Sequence, residues 1–316
     1  MNITGVESVL YGCADVAAAQ KFLTDLGFVP DEIGEEQTIL RLPDNSAVIL
    51  RAAGDPSLPA APVEGDTARQ LVWGVDSPET LEAIAAELTR DREVRKGEDG
   101  VLHAADDRGH AVGFQVSPCR EPALEPPLTN APGSRARRNR RADGTEIRVP
   151  VIQRFAHVGY WAPGEIDETM AFWVDRLGFR VSEYIRDVGV FLRAAGSNEH
   201  HDVFFARCGE RRGFQHASYE VRDFDEVMLL GSHMEAQGWE THFGPGRHIF
   251  GSNIFWYFWH PAGALLEITA DLDYVDDGWQ TVYHEELPKG AGSWLARPID
   301  SRRIPFRTRE DDVIIE

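Results

Sequence analysis

The sequence predicts an α+β fold made of tandem βαβββ modules, and three observations predict it. A strand-helix phrase near the start returns just past the midpoint, the same order of strands and helices follows each copy, and a stretch rich in proline and arginine separates the two halves. A supersecondary unit that recurs at a long interval indicates that the unit has been copied. We therefore expect two similar domains, each holding two βαβββ modules.

The repeated phrase is a short apolar strand that leads into an amphipathic helix and ends at Leu-Gly-Phe. Its two copies are a strand at residues 8–11 with a helix at 17–26 before Gly27, and a strand at 157–160 with a helix at 167–177 before Gly178. A glycine at this position suits the left-handed residue that closes a helix. The end of the first helix is therefore predicted in both halves.

The remaining elements also follow one order in both halves: two strands, then a strand and a helix, then a hairpin-like pair. In the first half they are predicted at residues 38–42, 47–51, 69–75, 78–90, 100–104 and 111–116. In the second half they are predicted at residues 188–193, 202–206, 215–221, 224–237, 253–259 and 265–270. Period-two apolar alternation indicates the strands, and longer amphipathic stretches indicate the helices.

A change of composition divides the halves. Proline density disfavours helix and central strand over residues 118–150, which we interpret as a linker. The prediction is an N-terminal domain at 1–117, the linker at 118–150, a C-terminal domain at 151–272, and an aromatic-bearing tail at 273–316 that packs over the site. The linker also carries an arginine run, interpreted as a solvated segment, a contact to acidic surface, or an anion-binding patch: Arg135, Arg137, Arg138, Arg140 and Arg141.

Composition limits the classes of partner. The net charge of −20 disfavours nucleic acid or an anionic membrane. No apolar run approaches the roughly 18–20 residues that span a bilayer. The start of the sequence lacks the features of a signal peptide, so we expect a cytoplasmic protein. The three cysteines are far apart and form no CxxC motif, which argues against a disulfide framework and a thiolate metal site.

Histidines concentrate in the second half and predict a metal site there. Nine of the eleven lie at or after His157. His157, His216 and Glu267 fall on three predicted strands, where alternate side chains share one face. Two imidazoles and one carboxylate form the set typical of non-haem Fe(II) oxygenases. A core role for each histidine is the alternative, but an ionised Glu267 in an apolar strand requires a partner of opposite charge.

The first half lacks this set of ligand types. Aligned by the repeat, its corresponding positions hold Ser8, Gln70 and Gly113. None of these three residues offers an imidazole or a carboxylate. The sequence therefore predicts one metal site for the whole chain, in the C-terminal half.

Three phrases around the predicted ligands resemble those of the vicinal oxygen chelate superfamily, and more closely its type I extradiol catecholic dioxygenases. They read FAHVG at residues 155–159, QHASY at 215–219 and GALLE at 263–267, and a long matching stretch covers 244–258 and 260–263. The likeness is weak in the first half and strong from about residue 155 to 280. It implies two vicinal-oxygen-chelate domains, each a curved mixed sheet that encloses a funnel, with metal only in the C-terminal one.

The resemblance also implies roles for further residues. His201 falls where the family has a histidine that faces the O₂ position, His248 where a histidine bonds the substrate, and Tyr257 where a tyrosine bonds the ligating substrate oxygen. Arg193 and Asn253 are predicted to contact the substrate. For Arg193 a surface ion pair is the alternative.

The activity that the resemblance implies is extradiol ring cleavage, in which both atoms of O₂ enter a catechol-type aromatic compound to give a muconic semialdehyde-type product. The implied cofactor is Fe(II), with Mn(II) as an alternative, and the implied assembly is a homo-oligomer of four or more subunits. The competing hypotheses are a glyoxalase-like isomerase or thiol transferase of the same superfamily, and a metal-free binding protein. The substrate and the side of ring cleavage stay open.

Overall fold

The described part of the chain forms two large mixed sheets and one small hairpin. The computed structural model describes residues 1–34, 36–63, 65, 67–142, 148–287 and 292–296. The first sheet has eight strands and the second has ten. Among the described residues no helix combines the length and apolar character that crossing a bilayer requires.

The N-terminal sheet contains two modules that meet at its centre. Its elements are β1 (Ile3–Cys13), α1 (Val16–Asp25), β2 (Val29–Ile33), β3 (Gln37–Arg41), β4 (Ala47–Ala52), β5 (Thr67–Val75), α2 (Pro78–Leu88), β6 (Arg95–Lys96), β7 (Leu102–Ala105) and β8 (Ala111–Val116). The strand order is β2-β3-β4-β1-β5-β8-β7-β6. The first strands of the two modules, β1 and β5, pair antiparallel at the centre of the sheet and form the junction between the modules.

The linker contributes a short hairpin, and the C-terminal half repeats the first arrangement. The hairpin consists of β9 (Asn130–Ala131) and β10 (Ser134–Arg135). The C-terminal elements are β11 (Arg154–Trp161), α3 (Ile166–Met170) with a π-helical continuation at Ala171–Arg176, β12 (Arg180–Ile185), β13 (Gly189–Arg193), β14 (Val203–Ala206), β15 (Gly213–Glu220), α4 (Phe224–Ala236), β16 (Thr241–His248), β17 (Ile254–Trp259), β18 (Leu265–Ala270), β19 (Val282–His284) and β20 (Gly292–Leu295).

The strand order of the C-terminal sheet matches that of the first sheet, with a tail strand added at each edge. It runs β19-β12-β13-β14-β11-β15-β18-β17-β16-β20. The predicted α+β class and the tandem modules are therefore confirmed. The strand β19 pairs in parallel with β12, and β20 pairs antiparallel with β16. The predicted domain limits at residues 117, 150 and 272 stay a prediction.

Several strands had no prediction, and their composition explains why. The edge strand β2 carries Pro30 and is largely exposed, so it lacks the apolar alternation that marks a half-buried strand. The strand β16 contains Gly244, Pro245 and Gly246, which in sequence indicate a turn. The helix predicted at residues 167–177 is confirmed, and its second part, from Ala171 to Arg176, has π-helical geometry.

Polar N-cap residues precede three of the helices. The side chains of Asp15, Ser77 and Asp223 each accept a hydrogen bond from a backbone N–H in the first turn of α1, α2 and α4. Such caps satisfy donors that have no partner within the helix. The helix α2 also has Pro78 in its first turn, where the missing N–H is harmless.

One main apolar core contains residues of both halves. Ring contacts join them: Tyr11 lies 5.0 Å from His260 and Trp73 lies 5.4 Å from Trp173, measured between ring centroids. Arg108 of the first half donates to the Thr169 hydroxyl of the second half at 2.8 Å. The C-terminal sheet is therefore held against a packed partner.

Asp202, just before β14, predicts a pH dependence of stability. Its carboxylate accepts from the Ala194 N–H at 2.8 Å, and burial raises its pKa from 3.8 to about 7. The folded protein thus holds this proton more tightly than the unfolded chain. The resulting stability is fully present below the unfolded pKa and is lost as pH rises through about 7. We expect a loss of about 2–3 kcal/mol between pH 5 and pH 8.

The measurement is urea unfolding of the metal-free protein at both pH values. The variant Asp202→Asn has no charge to bury, so its unfolding free energy should not show this loss. Between pH 5 and pH 8 its unfolding free energy should fall by about 2–3 kcal/mol less than that of wild type. The matched control is Asp187→Asn, at a side chain that is 73% exposed. An equal response of Asp202→Asn and wild type to pH would contradict the prediction.

Candidate functional site

Three neighbouring strands place the predicted ligands on one face of the C-terminal sheet. On β15, Ser218 lies opposite His157 of β11 on one side and opposite Glu267 of β18 on the other. His216 precedes Ser218 by two residues, so it points to the same side of the sheet. The strand register therefore brings all three side chains together.

The ligand atoms of these three residues lie close to one another. His157 Nε2 lies 2.9 Å and His216 Nε2 lies 3.6 Å from Glu267 Oε2. The three ligand atoms, one from each residue, all lie within 4.8 Å of one another. Within the described ranges, this is the sole group of three or more histidine, cysteine or acidic side chains that is close enough to hold a metal ion. All three side chains are buried, and Glu267 is fully so.

The charges of the site match the needs of a metal ion. Burial alone raises the pKa of Glu267, but the neighbouring imidazoles, His157 first, hold that pKa well below its usual value. Burial lowers the pKa of His216 to about 3. Glu267 is therefore ionised and His216 neutral near pH 7. Metal ligation requires these protonation states.

Unsatisfied buried atoms support a cation at this place. Within the described part of the chain, His216 Nε2 and Glu267 Oε2 have no hydrogen-bond partner, although Glu267 Oε2 lies near two imidazole nitrogens. Buried polar atoms are rarely left in this state. Two ligand atoms that each lie about 2.1 Å from one ion at right angles are about 3 Å apart. The residues present therefore fit a divalent metal ion.

Two amide side chains orient the ligands. The Nδ2 amide of Asn253 donates to Glu267 Oε1 at 3.1 Å and to Thr269 Oγ1 at 2.7 Å. The Oε1 atom of Gln215 lies 2.7 Å from His216 Nδ1, which directs His216 Nε2 toward Glu267. Partners of this kind fix the tautomer and direction of a metal ligand. Sequence reasoning missed this role of Gln215, whose one indication was a polar residue beside a predicted ligand in an apolar strand.

The three residues with implied catalytic roles surround the same group. The ring of His201 lies 4.2 Å from that of His157, and His248 Nε2 lies 3.6 Å from Glu267 Oε1. The Tyr257 hydroxyl lies 3.2 Å from His248 Nε2. Burial lowers the pKa of His201 well below its usual value. Burial also raises the pKa of Tyr257 well above its usual value. His201 is thus neutral and Tyr257 keeps its proton near pH 7.

Aromatic side chains form apolar walls beside this group. One cluster, apart from the main core, includes Phe191, Phe204 and Phe250, and the Phe191 ring lies 5.0 Å from that of His201. A second cluster includes Tyr257 and Phe255, and the Phe255 ring stacks on His248 at 3.8 Å. Apolar walls with a few convergent polar groups are typical of a small-molecule site.

The predicted substrate contact Arg193 is buried and bound to the tail. Its guanidinium donates to the carbonyl oxygen of Asp276 at 2.9 Å and to that of Ser197 at 3.4 Å. Arg193 is two residues from Phe191 on β13, so both point to the same side of the sheet. Its contact with a substrate, like that of Asn253, stays a prediction.

The N-terminal sheet has other residue types at the positions that correspond to the predicted ligands. On β5, Val72 lies opposite Ser8 of β1 and opposite Gly113 of β8, as Ser218 lies opposite the two ligand strands. Gln70 precedes Val72 by two residues and thus corresponds to His216. The strand register confirms the alignment of Ser8, Gln70 and Gly113 with the three ligand positions.

Comparison with known proteins agrees with this architecture. Residues 154–268 match the family model of the Glyoxalase/Bleomycin resistance protein/Dioxygenase superfamily. The chain is 29% identical over 274 residues to metapyrocatechase 2 of Cupriavidus necator, which covers 84% of this chain and 80% of that protein.

Two solved structures share the fold over nearly the whole chain. One is the Mn(II)-bound glyoxalase of Novosphingobium aromaticivorans, with a TM-score of 0.72, 22% identity, and coverage of 98% of this chain and 99% of that one. The other is the 2,2′,3-trihydroxybiphenyl 1,2-dioxygenase of Sphingomonas wittichii RW1, with a TM-score of 0.70, 17% identity, and coverage of 93% and 99%.

The repeated sheet and the buried two-histidine, one-carboxylate group define a protein of the vicinal oxygen chelate class. Within that superfamily the chain is similar in sequence to extradiol dioxygenases, the group that its motifs resemble.

Proposed function

We propose that this protein is an Fe(II)-dependent extradiol dioxygenase that opens the ring of a catechol-type compound between a hydroxylated carbon and its neighbour outside the diol. Both atoms of O₂ enter a product of the muconic semialdehyde type. The observation that carries this proposal is the buried group of His157, His216 and Glu267 with His201, His248 and Tyr257 around it.

The ligand set supports the proposed chemistry. His157, His216 and Glu267 would hold the ion by two neutral nitrogens and one carboxylate oxygen. An ion held by these residues would supply the chemistry that binds a diol and activates O₂, which is typical of this donor set. Mn(II) accepts the same donor set, so it is the alternative cofactor.

Three side chains act on the reacting oxygens in this proposal. Tyr257, which keeps its proton, donates a hydrogen bond to a substrate oxygen. His248 lies within reach of both Tyr257 and Glu267 and orients the same substrate oxygen. His201 is neutral and accepts a proton or a hydrogen bond beside the O₂ position, a general acid–base role.

The apolar walls support an uncharged aromatic ring as the substrate class. The Phe191 ring lies beside His201, and the rings of Phe204 and Phe250 pack against Phe191. Ring contacts of this kind stabilise aromatic ligands beyond area burial. Arg193 and Asn253 would contact polar groups at the rim of the ring. A homo-oligomer, a cytoplasmic location and the division at residues 117, 150 and 272 remain part of the proposal.

A further part of the proposal is that the described residues of the tail, 273–287 and 292–296, cover the site, whereas residues 288–291 and 297–316 of the predicted tail lie outside the described residues. The Trp279 indole donates to the Ser182 carbonyl oxygen at 3.1 Å, and β19 extends the sheet beside β12. Arg193 binds the Asp276 carbonyl oxygen. These contacts support a closed cover that excludes water from the reacting groups.

Reconstitution tests the proposal. The metal-free protein is loaded anaerobically with Fe(II), mixed separately with catechol and 2,3-dihydroxybiphenyl, and then exposed to air. We expect O₂ uptake in a one-to-one ratio with the diol that disappears, together with a yellow ring-cleavage product. Parallel loading with Mn(II) decides between the two metals.

Two outcomes would contradict the proposal. If the protein binds metal but consumes no O₂ with either diol, the isomerase or transferase hypothesis takes its place. If it binds no divalent metal, the site is that of a metal-free binding protein.

A further inference from the structure

A hydrogen-bonded row of four side chains leads away from the metal site toward the tail. His201 Nδ1 lies 3.0 Å from His200 Nδ1, and His200 Nε2 lies 3.0 Å from Glu183 Oε1. The other carboxylate oxygen, Glu183 Oε2, lies 2.5 Å from His284 Nε2. His200 is fully buried, whereas the His284 side chain is 24% exposed.

Three separate segments bring the four side chains of this row together. His200 and His201 precede β14, Glu183 lies on β12, and His284 ends the tail strand β19. Register pairing of Glu183 with Val282 and of Ile185 with His284 places the tail beside β12. The Trp279 ring meets His200 edge-on at 5.6 Å between centroids. Only the docked tail supplies the last member of the row.

The order of donors along the row follows from what each group can donate. A carboxylate only accepts hydrogen bonds, so Glu183 accepts one hydrogen bond from His200 Nε2 and one from His284 Nε2. A neutral imidazole has one donor and one acceptor nitrogen, which leaves His200 Nδ1 as an acceptor. His201 Nδ1 must then donate to it. The remaining nitrogen of His201, Nε2, carries a lone pair on the side of the ring away from His200.

We propose that Glu183, His200 and His284 are positioning residues that hold His201 in the tautomer with a bare Nε2, and that docking of the tail strand completes this arrangement. The inference rests on the proposed function, because it assigns the ring nitrogen of His201 that serves the reaction. A bare Nε2 accepts a proton from an oxygen, whereas the opposite tautomer presents an N–H there.

The tautomer is measured directly on the metal-free protein. Side-chain nitrogen NMR of ¹⁵N-histidine-labelled protein at neutral pH separates protonated from bare ring nitrogens, and His201→Asn identifies the His201 signals by their loss. We expect Nδ1–H and a bare Nε2 for His201. Glu183→Gln offers one acceptor oxygen where two imidazoles need one each, so it should produce a mixture of tautomers. A protonated Nε2 in the unaltered protein would overturn the inference.

Kinetics of the Fe(II)-loaded protein supply the second readout. Glu183→Gln should lower kcat about 10-fold to 100-fold while KM for the diol and the metal content stay unchanged. His284→Gln should lower kcat in the same direction but less. Tyr283→Ala is the matched control, because Tyr283 neighbours His284 on β19 and is 71% exposed. An unaltered His201 tautomer in Glu183→Gln would also overturn the inference.

The two proposals can fail separately. Turnover of no diol would remove the proposed function, while the NMR measurement would still decide the tautomer. If Glu183→Gln fails to fold, the unaltered protein and His284→Gln supply the decisive spectra.

Discussion

Replacing His216 with alanine should abolish metal binding and turnover together. The alanine leaves His157 and the Glu267 carboxylate without the third donor, and two side-chain ligands hold a divalent ion poorly. In the proposed reaction the ion would bring diol and O₂ into contact, so its loss would remove the proximity contribution. We expect kcat to fall at least about 10³-fold. Elemental analysis of the purified protein and O₂ uptake with catechol measure both effects.

The repeat supplies a matched control for this variant. Gln70 occupies the position in the N-terminal sheet that corresponds to His216 in the C-terminal one. Gln70→Ala should therefore retain wild-type metal content and turnover. A metal content that falls equally in both variants would indicate a general effect on the fold. Full metal content in His216→Ala would rule out His216 as a ligand.

Replacing His201 with asparagine should separate catalysis from metal binding. His201 lies beside the ligands but contributes no atom to the group of three, so the ion should stay bound. Asparagine is similar in size to part of the ring and cannot take up a proton near neutral pH. General acid–base groups contribute about 10²–10⁴-fold to the rate, and kcat should fall within that range. Stopped-flow O₂ consumption and anaerobic diol binding are the measurements.

The control for His201 is a histidine away from the site. His233 lies in the last turn of α4 and contributes to none of the contacts described around the metal ligands. His233→Asn should keep both kcat and diol affinity. If His201→Asn instead lost its metal, His201 would be part of the ligand set rather than an acid–base group.

Much of the fold followed from pattern alone, because the repeat is carried by local signals. Apolar alternation identified central strands such as β1 and β15, and a polar N-cap begins each of the helices α1, α2 and α4. Where an element lacks such a signal, prediction failed. The strand β16 holds its glycine and proline residues in sheet geometry because β17 and β20 pair with it on both sides.

The candidate site was predictable in its members but not in its arrangement. His157, His216 and Glu267 were conspicuous as polar residues in apolar strands, and their motif resemblance named them together. The row from His200 to His284 had no such mark, because its contacts with Glu183 join segments that lie up to about a hundred residues apart in the chain, which no local pattern encodes.

By itself, the sequence determined the class of fold, the duplication and the half of the chain that holds the predicted metal ligands. These properties depend on periodicity and residue type, which short stretches of chain carry. The tertiary structure alone decided which atoms face each other: the 2.9 Å approach of His157 to Glu267, the aromatic walls, and the tail strand that brings His284 to Glu183. Those distances depend on strand register and on packing between remote segments, because burial stabilises only the arrangement in which every strand is paired.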